Sequence, residues 1–141
     1  MDRIHPGARD NILLIVTVLI MLSACRSAPV YTANDVSISP NASASEEEIA
    51  EVIWSAARRL GWQTKKVGEW KIKAVKQIRN HSLTVSIPYS KNAFSIIYVD
   101  SENLDYDGQT IHVNYNVWVS RLEQRIQKEI EFRLPEMWEN K

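Results

Sequence analysis

Hydrophobic and polar residues follow different patterns in successive parts of the chain, and each pattern predicts a different kind of segment. Residues 12–22 are almost entirely apolar. Residues 26–44 are rich in Ser, Ala, Asn and Pro and show no apolar period. In residues 45–134, apolar residues recur first at helical spacing, then at alternating spacing, and then again at helical spacing. The pattern therefore predicts one folded domain over residues 45–134, preceded by a linker and followed by a tail, residues 135–141.

The first helical period follows a helix-start signal. Ser45 and Glu48 have the Ser-x-x-Glu spacing of a capping box, in which each side chain satisfies the other residue's backbone N–H. Apolar residues then recur at the spacing of one helix face, namely Ile49, Val52, Ile53, Ala56, Ala57 and Leu60. Gly61 follows as a stop signal. We therefore predict an amphipathic helix of about four turns.

Four segments after this helix have the features of strands. They are residues 62–66, 70–77, 81–89 and 93–100. The third is the clearest, because Leu83, Val85 and Ile87 alternate with polar residues. Short turns separate the segments, so the simplest arrangement is four antiparallel strands connected in sequence order.

A second helical stripe follows Thr110, which the pattern predicts as the N-cap residue. The stripe consists of Ile111, Tyr115, Trp118, Val119, Leu122, Ile126 and Ile130. Pro135 prevents its continuation. A helix before and a helix after a four-stranded antiparallel meander can cover the same face of the sheet. The predicted fold class is therefore α+β, a two-layer sandwich of a helix, the meander and a C-terminal helix.

Composition limits the class of partner. Lys and Arg total 17 and Asp and Glu total 17, so the 141-residue chain has a formal net charge of zero. Nucleic-acid-binding domains usually carry a basic excess, so we expect no nucleic acid partner. The chain contains one cysteine, Cys25, and therefore no intramolecular disulfide.

Cys25 comes directly after the apolar run. Residues 12–22 are too few to span a bilayer, which takes about 20 apolar residues. Two arginines precede the run, as in the n-region of a secretory signal peptide. Its end, Leu22-Ser23-Ala24-Cys25, resembles the lipobox of bacterial lipoproteins, in which an aliphatic and two small residues precede an invariant cysteine.

This resemblance implies that residues 1–24 are a lipoprotein signal peptide and that Cys25 becomes the acylated amino terminus of the mature chain. Acyl chains such as palmitate, at about 0.8 kcal/mol per buried CH2, hold a domain at a membrane without a spanning helix. Arg26, where an aspartate signals retention in the inner membrane, implies sorting to the outer membrane, facing the periplasm. Residues 25–44 are then the acylated Cys and a flexible linker that could reach up to about 60 Å from the bilayer.

The segment before the second helical stripe contains the best candidate for a metal site. Asn103, Asp105, Asp107 and Gly108 match the first half of an EF-hand calcium loop. The second half does not match, because Asn114 stands where a bidentate Glu is required. A cation would therefore depend on the carboxylates of Asp105 and Asp107. The alternative is that Asx residues and Gly simply form turns ahead of the helix.

The next stretch is dense in hydrogen-bonding side chains, with His112, Asn114 and Asn116 close together. With Asn103, Asp105 and Asp107 they are candidates to bind a polar ligand such as a sugar or peptide. The alternative is that they tie down the preceding loop. The whole stretch has the pattern YxDSxNLxYD followed by IHxNYNxW and resembles small bacterial lipoproteins of unassigned function. The resemblance covers roughly residues 60–126 and implies no activity.

Trp54 lies off the apolar stripe of the first predicted helix. An exposed tryptophan commonly marks an interface. The competing interpretation is that the indole covers the edge of a small core, and the sequence leaves both open.

Catalytic signals are sparse. After removal of the signal peptide only His81 and His112 remain, and neither has a His or Cys at ligand spacing. We therefore expect a protein that is not an enzyme and has no cofactor.

The leading hypothesis is a lipid-anchored binding or assembly module for an envelope protein or a cell-wall component such as peptidoglycan. The alternative is a periplasmic protein that binds a small ligand or calcium through residues 101–118.

Overall fold

The computed structural model describes residues 26–38 and 44–134. The predicted signal peptide (residues 1–24), the predicted acylation site Cys25 and the predicted tail (residues 135–141) lie outside the described residues. In order along the described chain, the elements are β1 (Ser27–Pro29), β2 (Ala33–Ser37), α1 (Glu46–Arg59), β3 (Gln63–Gly68), β4 (Lys71–Ile78), β5 (His81–Pro88), β6 (Ala93–Glu102), β7 (Thr110–His112) and α2 (Val113–Arg133). These elements confirm the predicted α+β class.

The strands form two antiparallel sheets. The larger sheet has five strands in the order β2-β6-β5-β4-β3, and β1 pairs with β7 in a separate two-stranded sheet. The predicted meander is therefore present as β3 to β6. The prediction of only four strands is wrong, because β2 adds to the free side of β6.

The core lies on one face of the five-stranded sheet. Ile72 pairs with Ile87 and Ala74 with Val85, and paired residues point to the same face of a sheet. All four are buried in one cluster with the apolar stripes of both helices. The helices therefore cover this face together, as the two-layer prediction requires.

Helix α1 begins with the predicted capping box. The Ser45 backbone N–H donates to Glu48 Oε2 (2.7 Å), and the Glu48 N–H donates to Ser45 Oγ (3.2 Å). The backbone hydrogen bond from Ser45, followed by the one from its side chain, lowers the pKa of Glu48. The same residue spacing that predicts the helix therefore fixes its first turn.

Helix α2 begins two residues later than the sequence predicts, at Val113. Residues Thr110–His112 form β7, and His112 is the N-cap residue, its Nδ1 accepting from the Asn114 N–H (3.2 Å). The prediction of Thr110 as N-cap is wrong because β7 pairs with β1. The Thr110 hydroxyl is instead hydrogen-bonded to Asp107 (2.7 Å).

The predicted flexible linker is wrong for residues 26–38. These residues form β1 and β2, and Ala33 and Ile38 are buried in the core. Neither strand has a strong local signal, because Ser, Ala, Asn and Pro are not strand-favouring residues. They are strands because β7 and β6 offer them backbone partners. The described fold therefore begins at Arg26, directly after Cys25.

A buried carboxylate joins the two helices. Glu129 of α2 forms ion pairs with Arg59 of α1 (3.5 Å) and with Arg125 one turn earlier in α2 (3.1 Å). A buried charge of this kind is tolerated only when it is paired.

Within residues 26–38 and 44–134, no helix is both long enough and apolar enough to cross a membrane.

Candidate functional site

The loop between β6 and β7, where the sequence places its metal and ligand candidates, is shaped by two residues in the left-handed region. Asn103 has φ 56° and Asp105 has φ 52°, a conformation that Asn and Asp tolerate better than most residues. Leu104 lies between them and is buried in the core. The backbone N–H of His112 donates to the Leu104 carbonyl (2.8 Å). The loop is thus folded back onto β7 around one apolar side chain.

Asp107 uses its carboxylate to close the turn. Oδ1 accepts from the backbone N–H of Thr110 (2.6 Å) and of Gln109 (2.9 Å), and Oδ2 accepts from the Thr110 hydroxyl (2.7 Å). These hydrogen bonds favour the ionised form and lower the pKa of Asp107 from 3.8 to about 2. The turn-forming interpretation of this motif therefore describes Asp107 well.

Replacing Asp107 with Asn is expected to flatten the acid dependence of stability. A lowered folded-state pKa stabilises the fold above the unfolded pKa, and that stabilisation is lost as the pH falls from 3.8 to about 2. We expect the free energy of unfolding, measured by urea denaturation, to fall steeply across this pH window for the parent protein. The fall should be smaller for Asp107→Asn. Asp105→Asn is the matched control, because no hydrogen bond to the Asp105 carboxylate is formed within the described residues. Identical pH curves for the parent and both variants would contradict the assignment.

Asn103 and His81 join the loop to the turn between β4 and β5. The Asn103 side-chain amide donates to the Asn80 carbonyl (2.6 Å), and the Nδ1–H of His81 donates to the Asn103 carbonyl (2.6 Å). Both interactions hold neighbouring turns together. They place the loop at the end of the sheet where β4 connects to β5.

Asn116 ties the amino-terminal segment to α2. Its Oδ1 accepts from the Tyr31 backbone N–H (2.9 Å), and its Nδ2 donates to the Pro29 carbonyl (2.9 Å). One side-chain amide thus pairs with the backbone of the segment between β1 and β2 much as a neighbouring strand would. This role was not among those predicted for Asn116.

Four of the six predicted ligand residues have structural roles. The polar atoms of Asn103, Asp107, His112 and Asn116 are engaged in hydrogen bonds that hold the fold, while Asp105 and Asn114 are exposed. In residues 26–38 and 44–134, no group of three His, Cys, Asp or Glu side chains is arranged to hold a metal ion. Calcium binding therefore stays a prediction, and the described residues contain no cluster of ligands that supports it.

Three tyrosines of the same sequence stretch pack together, one from β6, one from the loop and one from α2. The Tyr98 ring lies 4.4 Å from the Tyr106 ring and 5.6 Å from the Tyr115 ring, measured between centroids. Tyr115 is fully buried, and its hydroxyl has no hydrogen-bond partner among the described residues. Burial, and then the nearby Tyr98 and Tyr106, raise the pKa of Tyr115. The stretch with the pattern YxDSxNLxYD followed by IHxNYNxW therefore supplies three aromatic rings that pack together.

A shallow cleft of about 240 Å³ lies where α1 ends. Its lining residues are Leu60, Trp62, Lys76, Ile78, Trp118 and Arg121. The Lys76 ammonium group donates to the Leu60 carbonyl (2.5 Å) and lies 5.7 Å from the Trp62 ring centroid. Burial lowers the pKa of Lys76. Lys76 thus stabilises the negative end of α1, which is a sufficient structural reason for a cation at this position.

A second groove, of about 190 Å³, runs between α1 and the outer strand β3. We call it the Trp54 groove. It is lined by Glu47, Ala50, Glu51 and Trp54 of α1, Lys66 of β3 and Ile72 of β4. Glu47, Glu51 and Trp54 are four and three residues apart, so they share one face of the helix. Trp54 is 38% exposed, unlike the buried residues of the opposite face.

The Trp54 groove combines an aromatic surface with charges on both walls. Glu47 and Glu51 line the helix side and Lys66 lines the strand side. The ion pairs formed among the described residues both involve Glu129, so none joins the two walls of the groove. The position of Trp54 off the apolar stripe was the sequence signal for this surface. No pattern in the sequence predicted that Lys66 of β3 would line the same groove as Trp54.

Comparison with known proteins supplies no relative from which a role could be transferred. No protein-family model matches the chain, no curated protein matches it, and no solved structure matches it.

Proposed function

We propose that this chain is a lipid-anchored, non-catalytic binding module of the bacterial cell envelope, and that the Trp54 groove receives an extended segment of another envelope protein. The lipobox at Leu22-Ser23-Ala24-Cys25 supports the anchor. The observation that carries the binding role is the groove itself, which is formed by α1, with its exposed Trp54 indole, and the edge strand β3.

The edge strand favours a partner with extended backbone. β3 is the last strand of the five-stranded sheet, so alternate backbone N–H and C=O groups point away from β4. A peptide can add to such an edge as a further strand and place alternate side chains in the adjoining groove. Lys65 and Lys66 protect the edge from indiscriminate pairing. A partner is therefore selected by side chains that fit the groove.

Two acidic residues against the single Lys66 leave the groove with a net negative charge, which favours a cationic side chain in the partner. Glu47 and Glu51 lie one helical turn apart beside Trp54, and no ion pair of the described chain neutralises them. A Lys or Arg of the partner would lie over the indole ring and be attracted by both carboxylates, an arrangement worth about 0.5–2 kcal/mol for the cation–π contact alone. The proposed partner is thus an extended segment containing a basic residue.

Photocrosslinking in living cells tests this proposal. A benzophenone amino acid in place of Trp54 in the full-length lipoprotein is expected to give one dominant protein adduct. The same group in place of Phe132, which is 85% exposed on α2, should not give that adduct. Adding Glu51→Lys to the Trp54 photoprobe should remove most of it, because like charges then face the partner's basic residue. Equal adducts from both positions, unaffected by Glu51→Lys, would exclude the groove as the binding surface.

A further inference from the structure

We infer that the folded domain lies directly against the membrane surface, with the amino end of α2 and the β1-β7 pair facing the lipid headgroups. The inference rests on the proposed acylation of Cys25 and extends it from attachment to orientation. Its basis is the set of hydrogen bonds and strand pairs that hold Arg26 and the residues after it against β7 and α2.

The first residue after the proposed anchor is already hydrogen-bonded to the folded domain. The backbone N–H of Val113 donates to the carbonyl of Arg26 (2.8 Å). Ser27 pairs with His112 and Pro29 with Thr110. No residue separates Cys25 from Arg26. The acylated residue is therefore one Cα spacing, about 3.8 Å, from a residue bonded to the fold.

The following residues reinforce this attachment. The Val30 N–H donates to the Gln109 carbonyl (3.1 Å), and the Asn116 side chain bonds both Pro29 and Tyr31. The Tyr31 hydroxyl donates to Glu123 of α2 (2.5 Å). Backbone and side-chain bonds thus hold the segment at several successive points. A spacer of up to about 60 Å would need this whole segment to detach.

The attachment defines a near side and a far side of the domain. Val117 follows Val113 by one helical turn, so both lie on the same face of α2, and Val117 is 43% exposed. β7 lies at the end of the sheet where β4 connects to β5, because Leu104 bonds His112 and Asn103 bonds Asn80.

Val67 marks the opposite end. It is 47% exposed and lies where β3 connects to β4. The 8 residues of β4 separate the two ends of the sheet by about 25 Å. A short tether at Arg26 therefore places Val117 near the headgroups and keeps Val67 away from them. It also leaves Lys66 and the Trp54 groove on the side open to the periplasm.

Fluorescence quenching in vesicles tests the orientation. The acylated protein is prepared as Val117→Cys or Val67→Cys, and each new thiol is labelled with bimane, since acylation consumes the thiol of Cys25. The proteins are reconstituted into vesicles of phosphatidylethanolamine and phosphatidylglycerol that contain a headgroup-nitroxide lipid. We expect loss of most of the emission at position 117 and nearly unchanged emission at position 67. Equal quenching at the two positions would overturn the inference.

A spacer variant tests the role of the tether. Insertion of about ten Gly and Ser residues between Cys25 and Arg26 adds about 17 Å of average reach. Quenching at position 117 is then expected to fall to the level at position 67. Undiminished quenching would show that the short tether does not hold the domain at the surface, and the inference would be wrong.

Mass spectrometry of the same preparations separates the two possible failures. If Cys25 carries no acyl chain and the protein does not float with the vesicles, both the proposed anchor and the proposed orientation are wrong. If the acylated, vesicle-bound protein shows equal quenching at the two positions, only the orientation is wrong, and the proposed function is not contradicted.

Discussion

Replacing Cys25 with Ser is expected to reduce incorporation of labelled palmitate from a single strong band to background and to leave the precursor unprocessed. The thiol is the nucleophile that receives the diacylglycerol in the lipoproteins that this chain resembles. Because the chain has no second cysteine, no other thiol can substitute for it. The contribution of the acyl chains to membrane association, about 0.8 kcal/mol per buried CH2, should be lost with them.

A relocated thiol is the matched control. The double variant Cys25→Ser, Ser27→Cys restores one cysteine two residues later, outside the lipobox, and should not be labelled. Metabolic labelling followed by gel electrophoresis measures both variants. Retained palmitate on Cys25→Ser would contradict the anchor, and with it the envelope location that the proposed function requires.

Replacing Phe94 with Ala is expected to lower the free energy of unfolding by about 3–5 kcal/mol, the range for truncating a buried aromatic ring. Phe94 is buried and pairs with Val36, at the junction of β6 with β2. The loss combines the transfer free energy of the ring with a cavity that the surrounding strands can only partly close. Because small domains are stable by about 5–15 kcal/mol, a large part of the fold's stability would disappear.

The chain's other phenylalanine provides the control. Phe132 is 85% exposed on α2, so Phe132→Ala should change the unfolding free energy by less than about 0.5 kcal/mol. Urea denaturation of the mature chain with Cys25 replaced by Ser measures both effects against one parent. Equal destabilisation by the two substitutions would show that the described core is incorrect at β6.

The local parts of the fold were predictable because the interactions that form them lie a few residues apart. The α1 capping box joins residues three apart, and the buried stripe of α1 repeats at helical spacing. The alternation of Leu83, Val85 and Ile87 likewise records one face of β5. Short-range periods of this kind are the main structural signal in a single sequence.

The errors occur where partners are far apart in the chain. β1 and β2 contain no strong strand-forming pattern, and their stability comes from distant contacts, such as Asn116 with Pro29 and Ser95 with Asp35. Thr110 has the side chain of a helix N-cap, but the pairing of β7 with β1 moves the helix start to Val113. A local pattern cannot reveal a backbone partner that the rest of the fold supplies.

The candidate site divides in the same way. The sequence placed Trp54 off the apolar stripe and left its exposure open, and the spacing of Glu47 and Glu51 from it is visible in the sequence. Lys66 and Ile72 join them only because β3 and β4 pack against α1.

The sequence by itself determined the capped first helix and the four-stranded meander, since each depends on residues that are close along the chain, and the proposed anchor likewise depends only on neighbouring residues. Only the tertiary structure decided that the segment after Cys25 is part of the fold. It also decided that Asp107 and Asn116 hold backbone groups and that a groove opens beside Trp54. Each of these features depends on side chains or backbone groups brought into contact by folding.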